Sequence, residues 1–183
     1  IVERYGKPSM RFGVIADIHG NAFALEAVLQ DMDMLALSTA VNLGDFFSGP
    51  LNAAETAHLL MDRNFPSIRG NHDRYLIEQH SSDMSPSDKA AFDQLDKTHL
   101  EWIACLPETL TVFDDVFLCH GTPKSDSTYW LEHVEEDGTV RSATLQEIQA
   151  KAEGVEASLI LCAHTHSEEG NRLVGVLTSR VSG

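Results

Sequence analysis

Short apolar runs alternate with stretches of helical periodicity through the first half of the chain. Arg11-Phe12-Gly13-Val14-Ile15-Ala16 reads as a buried strand. After it, Phe23, Leu25, Val28, Leu29 and Met32 make one apolar face, which predicts a helix from about Asn21 to Leu35 with Asn21 as its N-cap. Ala40-Val41-Asn42-Leu43 reads as a second strand running into Gly44-Asp45, and a second helix is expected from about Leu51, with Pro50 at its mouth. Ser67-Ile68-Arg69 reads as a third strand running into Gly70-Asn71-His72-Asp73. This alternation predicts right-handed crossovers and a largely parallel sheet.

The second half is less regular. Ser85-Pro86-Ser87-Asp88 opens what reads as one long helix ending at Leu106, before Pro107. Thr109 to Phe113 and Val116 to Cys119 predict a hairpin around Asp114-Asp115. The polar stretch from Thr122 to Arg141 shows no clear element, and Glu132 to Asp137 within it reads as a solvated loop. A helix near Ala143 to Ala152, a strand at Leu159 to Cys162 and a further strand at Leu173 to Leu177 complete the expectation.

A chain of 183 residues suits one domain, here residues 10–183, with residues 1–9 as an extra N-terminal segment ahead of Met10. The sequence has no apolar run long enough to span a membrane and no signal-peptide core at its start. Three cysteines without a CxxC pair fit a reducing compartment, so a cytoplasmic location is expected. A net charge of −15 argues against a nucleic-acid duplex as partner. An acidic protein can still hold a small phosphorylated substrate if bound cations do the attracting.

Five polar groups each follow an apolar run: Asp17-Ile18-His19, Gly44-Asp45, Gly70-Asn71-His72-Asp73, His120-Gly121 and His164-Thr165-His166. In a parallel α/β sheet the strand ends on one side form the ligand edge, so these groups are expected to converge there. Carboxylate, imidazole and amide oxygen together suit divalent ions such as manganese, iron, zinc or nickel. Singly, each group has an ordinary explanation: Asp45 as a helix cap, Asn71 as a turn residue, a lone histidine as a surface residue. As a set they do not.

In this order, Asp17-x-His19, Gly44-Asp45-x-x-x-Gly49, Gly70-Asn71-His72-Asp73, His120-Gly121 and Ala163-His164-Thr165-His166 resemble the calcineurin-like metallophosphoesterase superfamily. The likeness is greatest to its small bacterial phosphodiesterase branch, with some resemblance to diadenosine tetraphosphate hydrolases. The resemblance implies a four-layer α/β sandwich of two mixed sheets flanked by helices. It also implies two divalent ions, one held by Asp17, His19, Asp45 and His166, the other by the bridging Asp45 with Asn71, His120 and His164. A hydroxide bridging the ions would attack phosphorus while His72, facing the scissile phosphate with Asp73 or Asp45 as its partner, protonates the leaving group. Diadenosine tetraphosphate hydrolase activity, protein phosphatase activity and a non-catalytic scaffold of the same fold are the alternatives. Two departures stand out. Ala163 replaces a usual glycine, which requires that its backbone not need a positive φ. Leu173 to Gly183 lacks the family's Asn-Pro-Gly-Ser segment, so the second sheet is expected to be incomplete, the chain being a fragment, carrying an altered C-terminus, or regaining cover by homodimerisation.

Asn21 is a candidate phosphate contact as well as a helix cap, and Arg69 pairs either with phosphate or in a structural ion pair. His58 is expected to pack or face solvent, and His80, His99 and His133 to face solvent. Cys119 and Cys162 read as buried strand-end thiols rather than ligands.

Overall fold

The computed structural model describes residues 11–165. His166 and the expected strand at Leu173 to Leu177 lie outside the described residues, as does the segment 1–9. The fold is mixed α/β. Strand β1 (Gly13–Ile15) pairs in parallel with β2 (Ala40–Asn42), and helix α1 (Ala22–Met34) crosses between them. Helix α2 (Ala53–Met61) then returns the chain to Ser67, which makes a single parallel bridge to Asn42. The expected third strand goes no further, because the Arg69 N–H turns away to the carbonyl of Pro107 (3.0 Å) and helix α3 (Asn71–Glu78) begins two residues later. Helices α4 (Pro86–Phe92) and α5 (Lys97–Cys105) lead to the antiparallel hairpin β3 (Thr109–Val112) and β4 (Val116–Cys119). After the pair β5 (Glu132–Val134) and β6 (Val140–Ser142) and helix α6 (Leu145–Lys151), strand β7 (Leu159–Leu161) joins β4 in parallel.

Two apolar clusters hold these elements. One packs Leu25, Leu29 and Met32 of α1 against Ile15, Phe46, Phe47, Leu60, Leu76 and Ile103. The other joins the β1–β2 sheet to the β3–β4–β7 sheet, with Val41, Leu43 and Ile68 against Leu118 and the partly buried Leu110, Val112 and Leu161. Phe46 and Phe47 are fully buried, with Trp102 at 5.2 and 6.0 Å between ring centroids. Each such side chain stabilises the fold by about 1.5–3 kcal/mol and clamps the loop that carries Asp45.

Several expectations need correction. The buried stripe of α1 is Ala22, Leu25, Leu29 and Met32, while Phe23 is 76% exposed and Val28 is also turned outward. Strand β1 is not fully buried, since Val14 is exposed. The single long helix is two, α4 and α5. Asp96 breaks it, because its carboxylate accepts the N–H groups of Thr98 and His99 and starts α5. Such local bonding competes with helix continuation. His99 is consequently half-buried rather than solvent-facing, its Nδ1 accepting the Asp96 N–H. The polar stretch contains the hairpin β5–β6, turned at Asp137-Gly138 with Gly138 at φ 84°. An Asp-Gly pair between strands is a hairpin signal.

Gly44 sits at φ +98°, and a Cβ there would lie 2.4 Å from the Gly70 nitrogen. Here two ligand-bearing turns touch backbone to backbone. Gly44→Ala combines a left-handed penalty with overpacking, about 2–5 kcal/mol together. It is expected to lower Tm by roughly 4–20 °C, readable by thermal unfolding; an unchanged Tm would mean the two turns are not in contact.

Candidate metal centre

The parallel ladder between β1 and β2 continues beyond the strands as a string of backbone bonds. Asp17 donates to Gly44 (3.0 Å), His19 to Asp45 (3.0 Å) and Gly20 to Phe46 (2.9 Å), which lays the first two polar groups side by side. The third is drawn in by Asp73. Its carboxylate accepts the N–H groups of Asp45 (2.7 Å), Phe46 (3.0 Å) and Gly70 (2.9 Å), tying the Asp45 loop to the start of α3. In return the His72 N–H donates to Asp45 Oδ1 (3.0 Å). The parallel pair β4–β7 delivers the other two groups, with the Ala163 N–H on the His120 carbonyl (2.7 Å) and the His164 N–H on Asp17 Oδ2 (3.3 Å).

Asp17, His19, Asp45 and His164 all adopt left-handed backbone, with φ of 51°, 49°, 57° and 70°. Non-glycine residues in this region are strained by about 1 kcal/mol or more each. They account for four of the eight such positions among the described residues, so the strain is concentrated on this cluster. Ala163 is not one of them, so its methyl group meets no backbone objection.

The centre of the arrangement is Asp45, which is fully buried. Its Oδ2 lies 3.1 Å from His120 Nε2 and 3.9 Å from His19 Nε2. Both rings commit the other nitrogen to the backbone, His120 Nδ1 to the Leu43 carbonyl (2.7 Å) and His19 Nδ1 to the Ser48 carbonyl (2.8 Å). A carbonyl only accepts, so Nδ1 carries the hydrogen in each, and Nε2 is the nitrogen turned to the carboxylate, a lone pair there whenever the ring is neutral. A metal ion between the carboxylate and these nitrogens would take the place of a proton on Nε2. Two further observations fit. His120 Nε2 lacks a well-aligned hydrogen bond although it is buried, and the buried Asn71 Oδ1 has no hydrogen-bond partner. Two groups have donor atoms all within 4.8 Å of one another, Asp17–His19–Asp45 and Asp45–His120–His164, and they share Asp45. The residues present therefore fit two cations with a common carboxylate.

The electrostatics agree. Burial pushes the His120 imidazole down, but the hydrogen-bonding and charge influence of Asp45 outweighs it, and the ring is raised to about 9. Burial likewise pushes Asp45 up, and His120, His72 and His19 outweigh it and lower it. Asp73 is pushed up to about 8 by burial and by the Asp45 charge, against its three N–H donors. His164 is lowered by burial and by His120. The site thus attracts positive charge at the shared carboxylate.

Other expected residues fall as follows. His72 lies in the first turn of α3, but its Nδ1 meets Asp88 Oδ1 at 2.7 Å, so its ring partner is neither Asp73 nor Asp45. Asp88 was missed because it sits in a helix start without a motif. Its buried position (2% exposed) is the cue, but the Ser85-Pro86-Ser87-Asp88 spacing reads only as a helix start. Asn21 caps α1, its Oδ1 accepting the Ala24 N–H at 3.1 Å. Arg69 pairs with Glu108 at 2.8 Å, the structural alternative of the two. Arg74 of α3 grips Asp126 with two bonds of 2.7 and 3.0 Å, anchoring the segment after His120 beside the site. Within that segment the Tyr129 ring stacks on His164 at 4.8 Å and remains 40% exposed.

No cysteine joins either group. Burial, with Cys162 beside it, pushes the Cys119 thiol far up, and burial with Asp17 pushes Cys162 up to about 11. Cys105 is exposed. A thiol reagent near neutral pH is expected to modify Cys105 within minutes and the other two only after denaturation; three fast thiols in native protein would contradict the described packing.

The model of the family described as calcineurin-like phosphoesterase matches residues 10–168. An uncharacterised protein of Methanocaldococcus jannaschii is 39% identical over 70 residues, which cover 38% of this chain and 29% of that protein. Among solved structures, a metallophosphoesterase from Sphaerobacter thermophilus is 26% identical with a TM-score of 0.69, covering 86% of this chain and 61% of that one. A hypothetical protein from Pyrococcus horikoshii shares the fold at 19% identity and a TM-score of 0.64, covering 84% and 68%. The chain thus spans less than two thirds of the Methanocaldococcus and Sphaerobacter proteins.

Proposed function

The chain belongs to the calcineurin-like phosphoesterase family, and we propose that it is a phosphodiesterase that uses two divalent metal ions to hydrolyse a small, nucleotide-like phosphate ester. The observation that carries this reading is the buried Asp45 carboxylate facing two imidazole nitrogens whose partner nitrogens are fixed by backbone carbonyls. Asp17, His19, Asp45 and His166 would hold one ion, and Asp45, Asn71, His120 and His164 the other. When bound, such ions neutralise phosphate oxygens and lower the pKa of water so that it attacks near neutral pH.

The remaining roles belong to side chains. Water oxygen bonds to phosphorus as the bond from phosphorus to the ester oxygen breaks, and the departing alkoxide takes a proton from His72 Nε2. In support of this role, His72 lies in the first turn of α3, its ring 5.4 Å from that of His19. The exposed ring of Tyr129 beside His164 suits a nucleobase, since bases stack on aromatic faces. No helix among the described residues is long and apolar enough to cross a membrane. Against a scaffold role, a scaffold has no need of His72 beside the ligand groups Asp17–His19–Asp45 and Asp45–His120–His164.

Stripping the protein with a chelator is expected to abolish hydrolysis of bis-p-nitrophenyl phosphate, and manganese to restore it. Turnover that persists in the stripped protein would sink the proposal.

A further inference from the structure

We infer that Asp88 is a positioning residue for the reaction, holding the His72 ring so that Nε2 alone is presented to the leaving group. This rests on the proposed role of His72 as proton donor. The carboxylate is buried and fixed at both oxygens, Oδ1 to His72 Nδ1 at 2.7 Å and Oδ2 to the Ser85 hydroxyl at 2.6 Å. Ser85 Oγ in turn accepts the Asp88 N–H at 3.1 Å, so the hydroxyl that holds the carboxylate is itself fixed at the start of α4.

A purely structural role does not account for this geometry. In an ordinary capping box the acidic residue three positions into the helix turns back to the N–H of the cap residue. Asp88 occupies that position after Ser85, yet it gives one oxygen to the cap hydroxyl and the other to an imidazole sixteen positions earlier in sequence. Ser85 already caps α4 alone through its own oxygen. The consequence at His72 is chemical. A carboxylate at Nδ1 fixes the hydrogen there and strengthens that bond whenever the ring is charged. Nε2 is then the one nitrogen from which a proton can leave, and the ring is held edge-on between His19 and Tyr75, both 5.4 Å away between centroids.

The test uses the manganese-loaded full chain and two diesters that differ in their need for a proton. Thymidylyl-3′,5′-thymidine expels an alkoxide, whereas bis-p-nitrophenyl phosphate expels a stable phenolate. Asp88→Ala is expected to lower kcat on the dinucleotide by about 10–100-fold, the loss typical of removing an orienting partner. KM should hold, and the nitrophenyl diester should change far less. Asp88→Asn, which keeps an acceptor for Nδ1–H, should recover part of the loss. In metal-free protein, nitrogen-15 NMR of the His72 ring should show the Nδ1–H form in wild type and its loss in Asp88→Ala. If Asp88→Ala does not fold, Asp88→Asn and Ser85→Ala carry the same comparison. Equal losses on both diesters, or an unchanged His72 ring form, would overturn the inference. A parallel His72→Ala separates the two readings: selective loss in His72→Ala but none in Asp88→Ala defeats the positioning role alone, whereas no selective loss in His72→Ala defeats the proton-donor role itself.

Discussion

Asp45→Asn is expected to end both metal binding and hydrolysis while leaving the fold in place. Asn retains an oxygen for the His72 N–H that Asp45 Oδ1 accepts, so the contact between the Asp45 loop and α3 survives. What disappears is the negative charge that faces His120 and His19 and that both candidate metal groups share. Losing even an outer partner of a metal ligand weakens binding by about 10–100-fold, so losing the shared ligand should exceed ~100-fold. Loss of one preorganised electrostatic group already slows turnover by about 10²–10³-fold, which sets the minimum here. Thermal unfolding with and without manganese checks the account. Wild type should gain stability as metal is added, because a ligand bound only by the folded state stabilises it. The variant should show no such gain, with a metal-free Tm close to wild type. A variant that still gains stability with manganese would show that Asp45 does not hold the metal.

His72→Ala is expected to give the opposite dissociation, metal retained and turnover lost. The side chain points its Nδ1 at Asp88 and makes no contribution to either candidate group, while its backbone N–H, which bonds Asp45, is untouched by the substitution. General-acid catalysis is worth about 10²–10⁴-fold, and the loss should fall in that range for an ester with an alcohol leaving group. Atomic emission on the dialysed variant, alongside a rate measurement, distinguishes the outcomes. Metal loss, or a rate equal to wild type, would remove His72 from the role.

The parts of this molecule that were legible in sequence are those governed by local chemistry. Asn21 is a helix cap because a short amide side chain before an apolar stripe satisfies the first free N–H groups, and it does so here. The β1–α1–β2 alternation and the hairpin around Asp114-Asp115 follow from apolar runs and turn residues. The five strand-end groups were visible as residue types after apolar runs, and the described members, all but His166, do meet. Hidden from sequence were the effects of distant partners. Asp73 looked like a partner for its neighbour His72, yet its carboxylate is consumed by three backbone N–H groups that join two turns. The true partner, Asp88, arrives through α4, whose position relative to α3 no local pattern encodes. Phe23 misled for a related reason: its spacing fits an apolar face, but the core lies on the Leu25–Leu29–Met32 side of α1.

The most direct test of a shared-carboxylate, two-ion centre is to titrate chelator-stripped protein with manganese, following bound metal and bis-p-nitrophenyl phosphate hydrolysis together. For such a centre, saturation is expected at two ions per chain, with turnover rising as the second ion binds. Full turnover with one ion or none, or saturation at one, would contradict it.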